Sequence, residues 1–160
     1  MKNREMIRKM TTNALLAALL ALFGIMKLPS PLPGCEFQLS APFAICIAAC
    51  FGFKRYFKIG LLASAMNLIL GTHSIVNISI AMIFRVVAGG VLAIFGVNPV
   101  TIVVSGPLGT ITGRLTLGGI MGTNPLTLVA AAVPGMIFTA VAATVMYPVM
   151  RRLVQRGTGC

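Results

Sequence analysis

Acidic side chains are nearly absent from this 160-residue sequence, which has no aspartate and two glutamates, Glu5 and Glu36. This scarcity excludes paired carboxylates for acid–base catalysis, an acidic Mg²⁺ or Ca²⁺ site and an aspartate-based proton relay. A single histidine, His73, cannot build a zinc site. Because groups that could carry catalysis are so few, we expect no enzyme activity, no metal and no cofactor.

Charged residues of either sign are also scarce. They make up 9% of the chain, against about 25% in a typical soluble domain. Hydrophobic residues make up 58%, and a soluble fold of this size has too large a surface for its volume to bury so many. We therefore expect most of the chain to lie in a lipid bilayer.

Six apolar segments follow one another along the chain, separated by proline, glycine, asparagine or basic residues. A helix that crosses a bilayer needs about 20 residues, with a range of about 17–25, and the third segment is shorter than this. The short connections leave no room for a soluble domain. The sequence thus predicts an all-α integral membrane fold, a compact bundle of six transmembrane helices forming a single domain over 1–160. The predicted spans are about 11–28, 36–53, 59–70, 75–97, 100–121 and 126–150.

The basic residues are concentrated at alternate connections. With the N-terminus in the cytoplasm, ten of the 13 lysines and arginines lie on the cytoplasmic side, and the outer segments have only Lys27. This bias follows the positive-inside rule and predicts cytoplasmic termini in a multi-pass protein of the cell's inner (plasma) membrane. The net charge of +11 is then a topology signal with some attraction for anionic lipid, and we expect no nucleic-acid partner. The ten are Lys2, Arg4, Arg8, Lys9, Lys54, Arg55, Lys58, Arg151, Arg152 and Arg156.

A lipoprotein cleavage site at Cys35 is an alternative for the N-terminal region. The stretch Leu32-Pro33-Gly34-Cys35 resembles a cleavage box that follows a signal peptide. The proline before the glycine fits that box poorly, and Lys27 with two more prolines separates it from the apolar stretch. Cleavage would leave five spans and remove the symmetry of the charge pattern.

Two arginines lie inside predicted spans, Arg85 in the fourth and Arg114 in the fifth. A central arginine costs at least about 2.5–3.5 kcal/mol in a membrane helix, and no intramembrane aspartate is available to pair with it. A guanidinium group binds a carboxylate or phosphate with a bidentate fork, so both residues are candidates for holding an anionic substrate. The alternative is that each caps carbonyl groups of a broken helix or extends to water.

Further polar residues gather at the predicted outer end of the bundle, where an uptake protein would collect its substrate. Asn77 lies eight residues before Arg85 and therefore on the same stripe of the fourth helix. The alternative interpretation is a solvated rim, in which Glu36 pairs with Lys27 or with an arginine. The candidate substrate-binding residues at this end are Glu36, Gln38, Asn67, His73, Asn77 and Asn124.

The first span has alanines four residues apart, Ala14 with Ala18 and Ala17 with Ala21. Small residues at this spacing let another helix approach closely. That helix can belong to the same bundle or to a partner protein, and the spacing alone does not decide between them.

The alanine pattern follows the basic stretch Arg8-Lys9-Met10-Thr11-Thr12, and a proline-rich loop over 27–34 precedes Glu36-Phe37-Gln38-Leu39. With these features, six short spans and cytoplasmic ends, the chain resembles a substrate-binding S component of an energy-coupling factor (ECF) transporter. The resemblance implies uptake of a small, vitamin-like micronutrient, and the two arginines favour an anionic one. It also implies docking onto a transmembrane T subunit that two cytosolic ATPases drive. The docking candidates are Ala14 and Ala18, with Ala17 and Ala21 as a second pair.

Two other functions are compatible with the sequence. One is a stand-alone small-solute channel or secondary transporter, although the lack of intramembrane acids disfavours proton coupling. The other is an accessory membrane assembly protein that binds no solute.

Overall fold

A computed structural model describes residues 2–28 and 37–158 of the chain. Over these residues the backbone forms six helices and one pair of two-residue strands. The strands are antiparallel, with Lys27 opposite Gln38 and Leu28 opposite Phe37. In chain order the elements are α1 (Lys2–Ile25), β1 (Lys27–Leu28), β2 (Phe37–Gln38), α2 (Ser40–Phe51), α3 (Phe53–Ile69), α4 (Ile75–Phe95), α5 (Pro99–Met121) and α6 (Pro125–Thr158).

Local sequence explains where several helices begin and end. The Ser74 side chain accepts a hydrogen bond from the Asn77 backbone N–H and so caps the start of α4. At the start of α5, Asn98 and Thr101 form a reciprocal capping box and Pro99 occupies the first turn. Gly122 ends α5 in the left-handed conformation, with φ of 64°, which glycine adopts without a steric penalty.

The number of helices agrees with the prediction, but several boundaries differ. The second predicted span begins at residue 36, whereas α2 begins at Ser40 because Phe37 and Gln38 pair with the end of the first segment. Gly52, with φ of 77°, breaks the apolar stretch, so α3 begins six residues before the predicted third span. Helix α1 extends nine residues before the first predicted span, and α6 continues eight residues past the sixth.

Four of the described helices are long and apolar enough to cross a membrane. They lie over Asn3–Ile25, Ile75–Phe95, Pro99–Met121 and Pro125–Arg156. Helix α2 has 12 residues, or about 18 Å at 1.5 Å per residue, which is shorter than the roughly 30 Å hydrocarbon core of a bilayer. Helix α3 has 17 residues and carries three cations near its start. By length and composition, four of the described helices rather than six can cross a membrane. The orientation of the termini stays a prediction.

The short helix α2 lies at the centre of the bundle. It contacts each of the other five helices, and α1, α3, α4, α5 and α6 follow one another around it. Its residues Pro42–Ala48 are all buried, and Ile45 and Ile47 are fully enclosed. Phe43 meets Phe23 of α1 edge to face, with ring centroids 5.1 Å apart. A helix enclosed in this way does not need the length of a membrane span, because protein rather than lipid surrounds it.

The outer surface of the bundle is rich in exposed apolar side chains. Ile69, Ile94 and Leu126 are 85%, 78% and 72% exposed. An apolar surface of this extent is unfavourable in water and is the surface expected against lipid acyl chains. The fold therefore supports the prediction of an integral membrane protein.

Candidate functional site

A cavity of about 550 Å³ lies among α1, α2, α3, α4 and α5. Its volume falls within the roughly 300–1,000 Å³ of small-molecule binding sites. Many of its lining residues lie close to one end of the bundle, which includes the end of α1, the start of α2 and the α3–α4 turn. We call this the cavity end. The polar side chains that line the cavity are Gln38, Ser40, Asn67, His73, Asn77, Arg85, Thr110 and Arg114.

The cavity extends from this end of the bundle to its middle. Asn77 lies near the first residue of α4, whereas Arg85 occupies the midpoint of that helix. The eight residues between them correspond to about 12 Å along the helix axis. Arg85 therefore lies deep in the bundle, and the amide and imidazole side chains lie nearer the mouth of the cavity.

Arg85 is held in place by α3. Its Nη1 donates a hydrogen bond of 2.6 Å to the Ser64 hydroxyl and contacts the Met82 sulfur at 3.2 Å. The aliphatic part of the side chain crosses Gly60, where a Cβ atom would lie 2.5 Å from Arg85 Cδ. Arg85 is 8% exposed and α4 is unbroken around it. The hydrogen bonds of Arg85 therefore go to side chains, and they do not cap the carbonyl groups of a broken helix.

Arg114 is half-buried and differs from Arg85 in having no neighbour among the described residues that holds it. Within residues 2–28 and 37–158, no hydrogen-bond or ion-pair partner of its guanidinium group is found. It lines both the main cavity and an adjoining one of about 80 Å³ that is bounded by α6 residues, including Thr139. As far as the described residues go, its guanidinium group is therefore available to a bound molecule.

Two glycines allow α5 to bring Arg114 close to α4. A Cβ atom at Gly109 would lie 2.8 Å from the Phe84 ring, and one at Gly113 would lie 3.1 Å from Ile80. Both neighbours belong to the α4 turns that also line the cavity. Small residues at these two positions thus let the helices pack closely and place both arginines at one cavity.

Asn67, near the end of α3, is buried with 5% exposure, and its side-chain Oδ1 has no hydrogen-bond partner in the described part of the chain. Gly24 of α1 makes room for it, since a Cβ atom there would lie 3.1 Å from Asn67 Nδ2 and 3.5 Å from the His73 ring. The Asn67 backbone carbonyl accepts a hydrogen bond from the Thr72 hydroxyl, which fixes the α3–α4 turn.

The strand pair closes the cavity beside α1. Gln38 donates a hydrogen bond of 3.1 Å from Nε2 to the carbonyl oxygen of Gly24. Gly24 and Gln38 both line the cavity. The pairing of β1 with β2 therefore brings a residue that is 14 positions away in sequence to the end of the first helix.

The cavity brings together six of the eight residues predicted to bind substrate. Asn124 lies outside it, because this exposed side chain caps α6 by accepting a hydrogen bond of 3.1 Å from the Leu126 backbone N–H. Glu36 lies outside the described residues. The six that line the cavity are Gln38, Asn67, His73, Asn77, Arg85 and Arg114.

The sequence interpretation missed Ser64, although it is the residue that holds Arg85. One pattern in the sequence pointed to Ser64. Gly60 and Ser64 are four residues apart, so they give α3 a face of small residues that includes one hydroxyl group. Nothing in the sequence indicated that this face meets Arg85, because 21 residues separate Ser64 from it.

The alanine pairs of α1 differ in burial. Ala14 and Ala18 are exposed, whereas Ala17 and Ala21 are buried in the core at 0% and 3% exposure. A fully buried side chain cannot contact a partner protein, so the assignment of Ala17 and Ala21 to a docking surface is corrected to internal packing. Ala14 and Ala18 remain available at the surface.

The electrostatics of the cavity are one-sided. Two guanidinium groups line it, and none of its described lining residues is a carboxylate. A cation in a low-dielectric cavity is unfavourable unless an opposite charge or several hydrogen bonds compensate it. The arrangement therefore suits a small molecule with an anionic group.

Comparison with known proteins shows similarity over most of the chain to a bacterial protein. Over 140 residues the chain is 46% identical to Protein BioX of Lysinibacillus sphaericus, and the matched region is 88% of this chain and 82% of that protein. No protein-family model matches the chain, and no solved structure matches it.

Proposed function

The chain belongs to the family of Protein BioX, and we propose that it is the membrane-embedded, substrate-binding subunit of an uptake system for a small anionic compound. It carries its substrate without chemical change and is not an enzyme. The relative's name points to biotin-related chemistry, so the first candidates are biotin and related carboxylic acids.

The observation that carries this proposal is the pair of arginines at one cavity. Arg114 has no partner among the described residues, and Arg85 is held deep in the bundle by the Ser64 hydroxyl group and the Met82 sulfur atom. Hydrogen bonds between a guanidinium group and a carboxylate are about twice as strong as neutral ones, and they gain further in a site that excludes water. A carboxylate at this position would offset the cost of keeping the two cations away from bulk water.

The resemblance to ECF S components supports a role that depends on partner proteins. In this role a transmembrane T subunit contacts the exposed pair Ala14 and Ala18, and two cytosolic ATPases supply the energy. The chain itself has no phosphate-binding loop with its lysine, so ATP hydrolysis belongs to the partners.

The basic residues favour one orientation in the plasma membrane. The N-terminus of α1, the α2–α3 junction and the C-terminal part of α6 carry most of the lysines and arginines. By the positive-inside rule these segments face the cytoplasm, which directs the cavity end outward, toward the substrate. This topology suits uptake.

The test is direct binding to the purified, detergent-solubilised protein. We expect biotin or a straight-chain mono- or dicarboxylic acid to raise the melting temperature by mass action. The matched control is the primary amide of the same acid, which has nearly the same shape and no negative charge. Equal stabilisation by an acid and its amide, or no stabilisation by any acid, would contradict the proposal.

A further inference from the structure

The buried acceptor Oδ1 of Asn67 is a feature that an anion alone does not explain. Buried polar atoms in native proteins nearly always have a hydrogen-bond partner, and an unpaired one is costly. In the described part of the chain two such side-chain atoms have none, Asn67 Oδ1 and the hydroxyl of Tyr56. Asn67 lines the cavity, whereas Tyr56 does not. Of these two residues, Asn67 is therefore the one that borders the space a bound molecule would occupy.

Asn67 lies on a different wall of the cavity from Arg114. Gly60, Ser64 and Asn67 share one face of α3, at the spacing of successive helical turns. Because Ser64 binds Arg85, Asn67 lies about one turn, or roughly 4.5 Å along the axis, closer to the mouth of the cavity. Arg114 projects from α5, on the other side of α4. The cavity thus has cationic donors at its floor and α5 wall, and a neutral acceptor on its α3 wall.

We infer that Asn67 determines specificity by accepting a hydrogen bond from an N–H group of the substrate, so that the substrate has an amide- or urea-type N–H in addition to its anionic group. This inference rests on the proposed function, because it concerns the same cavity. An oxygen acceptor at this position repels a second carboxylate. A hydrocarbon chain has no donor that could form a hydrogen bond with it. Compounds that lack a donor therefore bind with Asn67 still unpaired.

The experiment compares two acids with the same carboxylate and different second groups. Biotin has ureido N–H donors, and octanoic acid has none. Affinities are measured by isothermal titration with the full-length protein and with two variants at position 67. Asn67→Leu keeps the approximate size and removes the acceptor, whereas Asn67→Asp keeps the size and an acceptor oxygen.

We expect wild-type protein to prefer biotin. In Asn67→Leu, the ureido N–H of bound biotin is buried without an acceptor, so we expect this variant to bind biotin about 10- to 100-fold more weakly. Its affinity for octanoic acid should change by less than about threefold. Retained octanoic acid binding also shows that the variant is folded. Asn67→Asp is expected to keep the preference for biotin, because its carboxylate oxygen accepts the same N–H.

The possible failures are distinguishable. Wild-type protein that binds octanoic acid as tightly as biotin overturns the inference and leaves the proposed anion site standing. Asn67→Leu protein that binds biotin normally, or that loses both acids equally, also overturns the assigned role of Asn67. Wild-type protein that binds neither acid removes the proposed function and this inference together.

Discussion

The substitution Arg114→Gln separates a substrate-binding arginine from a structural one. Arg114 is half-buried at the cavity and its guanidinium group has no partner among the described residues, so its removal leaves none of the described groups newly unpaired. We therefore expect the variant to fold and to keep the melting temperature of the ligand-free protein. Its effect should appear in ligand affinity alone.

The magnitude follows from the contacts that a carboxylate would lose. Hydrogen bonds to charged groups contribute about 1.5–3 kcal/mol, so Arg114→Gln should weaken binding of an acid by about 10- to 150-fold. Arg114→Lys keeps the positive charge but loses the bidentate fork, and we expect it to retain part of the affinity. Binding of the uncharged amide should be the same in all three proteins.

The assay is isothermal titration, supported by the ligand-dependent shift in melting temperature. The control is Arg152→Gln, which removes an exposed cation far from the cavity, near the C-terminal end of α6. Affinity that is unchanged in Arg114→Gln, or reduced equally in Arg114→Gln and Arg152→Gln, would refute the role of Arg114.

Three further predictions test the packing and the partner surface. Gly60→Ala should displace Arg85 and lower the free energy of unfolding by about 1–3 kcal/mol. The control Gly90→Ala, whose Cβ meets no atom within 4 Å, should not lower it. Equal stability of the two variants in a denaturation experiment would contradict the close contact of Arg85 with α3. Gly109→Ala should likewise separate α5 from Phe84 and weaken acid binding, and normal binding by this variant would show that the close approach of α4 and α5 does not build the site. Ala14→Leu with Ala18→Leu should leave binding of the acid intact but abolish uptake by cells, while the exposed Ala65→Leu on α3 should permit it; uptake that survives the double substitution would exclude this face as the docking surface.

The sequence predicted the parts of the fold that depend on hydrophobic pattern. Long apolar segments separated by Gly, Pro and Asn located six helices, because each separator ends a helix through a local conformational effect. The boundary of α2 was wrong because it depends on the pairing of Lys27–Leu28 with Phe37–Gln38, which is a contact between distant residues. The enclosed position of α2 was equally invisible, since buried and lipid-facing helices have the same apolar composition.

The candidate site could be predicted in composition but not in detail. Charge scarcity made Arg85 and Arg114 stand out, and both line the cavity. Asn124 and Asn67 are the same residue type and lie at the same end of the bundle, yet Asn124 caps a helix whereas Asn67 lines the cavity. The sequence does not distinguish a capping asparagine from a cavity-lining one. The contact of Ser64 with Arg85 depends on how α3 packs against α4, which no local pattern gives.

The most direct test of the central claim is an experimental structure of the protein with a bound carboxylic acid. We expect the carboxylate in the cavity between α3, α4 and α5, with an oxygen about 2.7–2.9 Å from a guanidinium nitrogen of Arg114. An acid bound outside this cavity, or one in the cavity whose carboxylate contacts neither Arg85 nor Arg114, would contradict the account.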